Sequence, residues 1–294
     1  MDLSAFADAV GATDPVTIAG FGSHGGGVEG VRTVNAPAGI ERIEPEEMTV
    51  RCGAGTPVDE LAAALAEHGQ QVTLPSGGTV GGSLAVGRSG VRRLGDGPVR
   101  DAVLQIGYVS AAGEVVKAGG PTVKNVSGFD LCRVLVGSWG TLGFLGEVIL
   151  RTRPHAAREQ WFAGSLDPFH VLRHVHRPAA VLWDGATTWV LLAGHPADVE
   201  SQVRGLAVSE VPGPPDLPAG GRWSVPPAEV ADQRGEFVAE VGVGIVHRHQ
   251  APPSRPVDPA VRELHRRIKH GFDPTGRLNP GVDVLTLGAA GAGA

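Results

Sequence analysis

The stretch VTIAGFGSHGGGVEGVRTV, residues 16–34, decides between two ways of holding a dinucleotide. Val16–Ala19 is a β-branched run that ends in glycines and reads as a strand. Gly20, Gly22 and Gly25 then satisfy the G-x-G-x-x-G spacing. That fingerprint works only where the glycines open a helix, and where an acidic residue about twenty positions on ends the next strand. The residues at 26–34, GGVEGVRTV, are too rich in Gly and β-branched types for a helix. Glu41 and Glu44 lie near the required distance, but in a proline-bounded stretch and not at a clear strand end. A Rossmann NAD site is therefore rejected, and the absence of GxxxxGK[ST] removes a P-loop as well.

Outward from this stretch, glycine is concentrated at two more places, GGTVGGSLAVGRSG at 77–90 and GSWGTLGFLG at 137–146. Such clusters let backbone N–H groups converge on an anion and let the chain approach a ligand closely, or they simply join tightly packed strands. Met48–Cys52 reads as a strand, and Thr56-Pro57 as the cap and first turn of a helix through VDELAAALAEHG. Thr73–Pro75, Ala102–Val109, Glu114–Ala118 and Phe144–Arg151 read as a mainly antiparallel sheet, its hairpin turning at SAAG, residues 110–113. After Arg153-Pro154 the glycine clusters stop. Strand, helix, strand, strand, helix and a late strand within Glu236–His249 give the β-α-β-β-α-β order of a ferredoxin-like unit, interrupted by a Pro/Gly-rich loop over Val211–Pro227. Asp258–His270 reads as a helix. The expected class is α+β, with domains at 1–154 and 155–257 and a closing helix and return segment at 258–285.

The charge balance is −6 at neutral pH, with no basic stripe, which argues against nucleic acid. Cys52 and Cys132 have no metal or redox spacing and read as buried apolar residues. The opening MDLSAFADAVGATDP has no basic segment followed by an apolar one, and no run approaches the ~18 apolar residues of a membrane span. These features predict a cytoplasmic protein.

PSGGTVGG at 75–82, GRSGVRRLGDGPVRDAVLQIGYVSAAGEVVKAGG at 87–120 and KNVSGFDLCRVLVGSWGTLGFLGEVILRTRP at 124–154 together resemble the FAD-binding domain of the vanillyl-alcohol-oxidase and para-cresol-methylhydroxylase superfamily. The run from Lys124 to Gly143 is most similar to the FAD-binding subunits of glycolate oxidases, and FDPTGRLNPG at 272–281 matches the segment that returns to the flavin domain. The resemblance implies a two-lobed PCMH-type FAD-binding domain with a small ferredoxin-like cap. It places Gly20, Gly22, Ser23, His24 and Gly25, together with Pro75, Ser76, Gly77, Gly78, Thr79, Val80, Gly81, Gly82 and Ser83, around the FAD pyrophosphate. Ala85 and Asn279 would lie near the flavin ring. Ser138, Gly140, Thr141 and Gly143 would follow the ADP part, with Val148 in the last sheet strand. Lys124 would orient a loop over the cofactor or satisfy backbone groups, and turn capping is the other reading of Ser138 and Thr141. The chain has Ala19-Gly20-Phe21-Gly22 where relatives usually carry Arg-Gly-Gly-Gly, so one phosphate-neutralising cation is missing. Some relatives attach FAD through a histidine in this loop; His24 sits one position beyond it.

Oxidation of a 2-hydroxy acid by a flavin needs a cation for the carboxylate and a base for the hydroxyl proton. His247, Arg248 and His249 on the late strand are the candidates, the two histidines sharing one face by alternation. No metal constellation is present. The resemblance further implies a larger flavin subunit and an iron–sulfur subunit as partners, since no cysteines here could hold a cluster. A non-catalytic FAD-binding or scaffold subunit and a stand-alone oxidase of another alcohol are the alternative readings.

Overall fold

The computed structural model describes residues 1–23, 27–120, 130–254 and 256–287. In chain order its first half contains α1 (Ser4–Val10), β1 (Val16–Ile18), β2 (Arg32–Val34), β3 (Ile40–Glu44), β4 (Thr49–Gly53), α2 (Val58–Ala66) and β5 (Gln70–Gln71). There follow α3 (Val80–Val86), α4 (Arg93–Asp96), β6 (Val103–Val109), β7 (Val115–Gly119), α5 (Leu131–Leu135), β8 (Phe144–Arg151) and β9 (Arg153–Pro154). FLGEVILR forms β8 and is buried at every position but the last, because it is the central strand of an antiparallel sheet ordered β3-β4-β8-β6-β7. Leu61 and Leu65 of α2 and Leu84 of α3 pack with Val50, Ile106, Val148 and Leu150 of that sheet. β1 and β2 pair in parallel as a separate small layer.

Two local readings change. Thr56 does not cap α2: its hydroxyl donates to the Gly53 carbonyl at 2.7 Å and accepts from the Gly39 N–H, and the helix starts one residue later than expected, at Val58, with Pro57 in the cap position. The glycine-rich 77–90 stretch contains a helix, α3. Thr79 caps it by accepting the Gly82 N–H at 3.1 Å. Gly81 is required there by packing, since a Cβ would lie 2.8 Å from the Ala54 Cβ.

The second half holds β10 (Arg158–Gly164), α6 (Pro168–His174), β11 (Ala180–Trp183), β12 (Thr188–Gly194), α7 (Pro196–Val203), β13 (Ser209–Val211), β14 (Gly221–Ser224), β15 (Val238–Glu240) and β16 (Ile245–Arg248). Strand order β13-β10-β12-β11 is that of the ferredoxin-like split motif, and β15, β16 and β14 extend its β11 edge. The fourth strand of the motif is therefore Ser209–Val211, at the edge of the segment read as a loop, and not the late strand. A three-residue edge strand beside a proline-rich segment carries almost no periodic signal. The extra strands occupy the opposite edge.

α4 locks the two halves together. Leu94 enters the second core, the Gly95 N–H donates to the Ala179 carbonyl at 3.1 Å, and a Cβ at Gly95 would lie 2.7 Å from the Ala179 Cα. Arg92 bridges Asp96 of the first half to Glu159 of β10. After α8 (Pro259–Phe272), the chain runs back to β1, where Leu278 bridges Val16 in parallel, and a short α9 (Val284–Leu287) follows.

Candidate flavin site

A cleft of about 340 Å³ opens between the end of β1 with the 20–23 loop, residues 35–36 and 54–55, α3, the 139–145 segment and the return segment. Its lining divides by chemistry. Ile18, Val86, Phe144 and Leu145 give an apolar wall; Gly20, Gly82 and Gly140 give bare backbone. Side chains at these glycines would be tightly placed. A Cβ would lie 3.1 Å from the Thr79 hydroxyl at Gly20, 3.0 Å from it at Gly82, and 2.7 Å from the Asn279 amide nitrogen at Gly140. The third glycine cluster also completes α3: N–H groups of Gly137 and Trp139 donate to the Leu84 and Ala85 carbonyls, which a helix end leaves open.

Asn279 holds the floor together. Its Oδ1 accepts from the Thr17 hydroxyl at 2.8 Å and the Ile18 N–H at 3.2 Å, while its Nδ2 donates to the Trp139 carbonyl at 2.6 Å. Asn279 and Trp139 both have φ near +50° (45° and 53°), a conformation asparagine tolerates better than most residues. Asn279 thus ties β1, the 139–145 segment and the return segment at one point.

The cleft fits a flavin dinucleotide. Among the described residues, the N–H groups of Gly20, Phe21, Gly22 and Thr79 make no internal hydrogen bond, although all four residues line the cleft. Unpaired amides on a glycine loop are what a pyrophosphate uses. The amides of Gly81 and Gly82, by contrast, are consumed by the Ala54 carbonyl and the Thr79 hydroxyl. No described lining residue carries a charge. Recognition by neutral dipoles is less screened than recognition by exposed cations. FAD affinity, measured by fluorescence titration of the apoprotein, is expected to change less than about threefold between about 0.02 M and about 0.5 M salt. A tenfold loss would show that a cation carries the phosphate contact.

The other sequence-derived positions divide clearly. Gly22, Ser23, Thr79, Gly81, Ala85 and Gly143 line the cleft with the residues above. Gly78 packs on the Ser23 hydroxyl, and Pro75, Ser76 and Gly77 lead into the loop, where the Gly77 N–H donates to Asp59. Val80 and Ser83 are buried within α3, and Val148 lies in the sheet core. Ser138 and Thr141 form a buried turn in which the Thr141 hydroxyl donates to the Ser138 carbonyl at 2.7 Å. His24, Gly25 and Lys124 lie outside the described residues. Sequence reading missed Asn35, whose amide donates to the Ala19 carbonyl at 3.0 Å and sets the loop, and Phe21, 66 % exposed at the rim. Asn35 lies outside the glycine clusters and the titratable sets, and Phe21 is an apolar residue inside a run read for its glycines, so nothing marked either.

On the cap, neighbouring residues of β16 face opposite ways. The Arg248 guanidinium lies 4.9 Å from the Trp223 ring centroid and 5.5 Å from that of Phe237, and donates to Gln233 and to the Arg234 carbonyl. It is committed to the cap. His249 lies past the strand end, exposed. His247 is nearly buried, its Nε2 2.9 Å from Oε1 of Glu240 on β15, and that same oxygen accepts from Arg222 at 3.4 Å. Arg222 also donates to the Ser89 carbonyl at 3.2 Å, three residues beyond cleft-lining Val86. Burial pushes the Cys52 thiol up to about 12 and the Cys132 thiol up to about 11, so both are thiols and not thiolates at neutral pH. No helix of the described chain is long and apolar enough to cross a membrane.

Residues 4–119 match the family of FAD binding domains, and residues 225–282 match the C-terminal domain of FAD linked oxidases. The glycolate oxidase subunit GlcE of Escherichia coli K12 is 29% identical over 301 residues, covering 84% of this chain and 85% of that protein. A D-lactate dehydrogenase of Archaeoglobus fulgidus is 35% identical over 141 residues, which is 46% of this chain and 32% of that enzyme, so only about a third of that relative's length is represented. Alkyldihydroxyacetonephosphate synthase has the same fold, with a TM-score of 0.66 at 13% identity over 95% of this chain and 74% of that one. The glycine-lined cleft thus sits against an FAD-binding domain, and the chain is an FAD-binding protein with a PCMH-type domain and the C-terminal domain of FAD linked oxidases, similar in sequence to the glycolate oxidase subunit and the D-lactate dehydrogenase above.

Proposed function

We propose that this protein is a glycolate oxidase-type subunit that oxidises a small 2-hydroxy acid and passes the electrons to a partner protein. The observation that carries the reading is His247, held by a buried carboxylate on the cap strand whose neighbours reach the end of α3. Bound FAD supplies a two-electron acceptor for the substrate's hydride. Gly20, Phe21, Gly22 and Thr79 would hold its pyrophosphate by their backbone N–H groups, and Ile18, Val86, Phe144 and Leu145 would cover its ring. Glu240 accepts the Nε2 proton of His247 and so leaves Nδ1 free to take the substrate's hydroxyl proton. Arg222 offers a cation beside that base, a role Arg248 cannot fill while it braces Trp223 and Phe237. The electrons pass to a partner protein; the chain's two cysteines are buried free thiols, so an iron–sulfur cluster would belong to that partner. The similarity to a glycolate oxidase subunit supports a multi-subunit setting; a larger flavin subunit and an iron–sulfur subunit are the partners that the sequence resemblance implies.

The test is anaerobic mixing of flavin-loaded protein with glycolate and with D-lactate, without partners. Bleaching of the visible flavin band is expected, slowed at least about 10²-fold in His247→Asn with FAD content unchanged. No bleaching by either acid, or equal rates in the two proteins, would contradict the reading and favour a scaffold subunit.

A further inference from the structure

Arg88 follows the α3 helix, its backbone set by Gly87, which caps the helix at φ +70° and whose N–H donates to the Ser83 carbonyl. The Arg88 side chain is half-buried, yet among the described residues it makes no hydrogen bond and no ion pair. Its neighbour in space is another cation: Arg222, which donates to the carbonyl of the next residue, Ser89. The two guanidiniums repel, and burial together with Arg222 makes the charged form of Arg88 less favourable. The one carboxylate in the cluster does not neutralise both. Glu240 Oε1 is shared between Arg222 and His247, and Glu240 Oε2 is buried with no donor among the described residues. A half-buried guanidinium beside a second one is a place where an added anion is stabilised, because it relieves the repulsion and takes up the open N–H donors.

We propose that Arg88 and Arg222 form an anion subsite that takes the carboxylate of a small organic acid. A planar carboxylate is the natural bridge between two guanidiniums, because each offers paired N–H donors. Sulfate and phosphate share the charge but are tetrahedral, whereas a carboxylate is planar. The position suits a substrate: Arg88 is two residues beyond Val86 of the cleft, and Arg222 touches the carboxylate that holds His247. The assignment rests on the function proposed above only for the anion's identity as a substrate. Anion binding is measured without turnover.

The experiment is calorimetric titration of the full-chain, flavin-loaded protein with oxalate, which has no C–H to lose as hydride. Saturable binding is expected in the native protein. Arg88→Gln should weaken it at least about tenfold, with Arg88→Lys between the two. Arg266→Gln, on the exposed face of α8 and paired only with Glu263, should not change it. Arg88 holds no group of the fold, so Arg88→Gln is expected to keep its FAD and to melt no lower than the native protein. Equal oxalate affinity in the native protein and Arg88→Gln, no saturable binding up to about 50 mM oxalate, or a fall in melting temperature that tracks the loss of binding would overturn the subsite. The two proposals fail separately. If oxalate binds through Arg88 but no hydroxy acid bleaches the flavin, the subsite stands and the reaction does not. If glycolate bleaches the flavin with an unchanged KM in Arg88→Gln, the reaction stands and the subsite falls.

Discussion

Gly82→Val is expected to purify colourless, with its sheets folded. Gly82 faces the cleft, and a Cβ there would sit 3.0 Å from the Thr79 hydroxyl, which also lies 3.1 Å from where a Cβ of Gly20 would be. A valine therefore fills the gap between the 20–23 loop and α3, and pushes Thr79 off its cap. Helix propensity does not confound the result, because valine is a better helix former than glycine. Gly81→Val, one residue away, should behave differently. Its side chain would meet Ala54, with the Cβ 2.8 Å from the Ala54 Cβ and 2.9 Å from the Ala54 carbonyl oxygen. Overpacking of a buried helix–strand contact costs about 1–3 kcal/mol or more, so that variant should lose stability as well as flavin. Flavin content by absorbance and unfolding midpoints by circular dichroism separate the two. Native flavin content in Gly82→Val would mean that the cleft does not hold the cofactor.

Asp273→Ala should be the most destabilising single change in the return segment, by about 3 kcal/mol or more. The carboxylate is fully buried and is the hub of the turn that carries Asn279 to the cleft. It accepts from Lys269 Nζ at 2.6 Å, the Leu278 N–H at 2.8 Å and the Arg277 N–H at 3.1 Å. Arg277 in turn donates to the carbonyls of Val10, Asp14 and Ala111, fixing α1 against the return segment. Burial alone would raise the carboxyl pKa, but the Lys269 ammonium and the two backbone donors outweigh it and hold the group below the ordinary aspartate value of 3.8. A depressed folded-state pKa contributes stability that is complete above the unfolded value and is lost as pH falls through the folded one. The thermal midpoint of the native protein should therefore drop below about pH 4, and that part of the acid limb should be absent in Asp273→Asn. An unchanged acid limb in the variant would locate the acid sensitivity elsewhere.

The elements that announced themselves in the sequence did so through periodicity. FLGEVILR and VDELAAALAEHG carry continuous or one-faced apolar patterns, and both form where their patterns place them. α3 was hidden because Gly81 and Gly82 count against a helix on propensity. Their packing against Ala54 and Thr79 overrides that preference, and it becomes visible only with the partner strand in place. β13 was hidden by its length. At the site, the glycine loops were legible because bare backbone leaves a compositional mark. Asn279 was legible only through family resemblance, and its role as a three-way tie depends on Thr17, Ile18 and Trp139, which are far apart in sequence. In sequence, His247, Arg248 and His249 read as one group. Strand alternation and the strand's end give them three different environments, and the carboxylate that organises His247 lies on a separate strand, β15.

Whether the cleft holds FAD is read from the visible absorption spectrum of the purified protein. A yellow protein with the two-banded flavin spectrum, whose chromophore stays in solution when the chain is unfolded and precipitated, is the predicted result. A colourless protein that takes up no added FAD would contradict it.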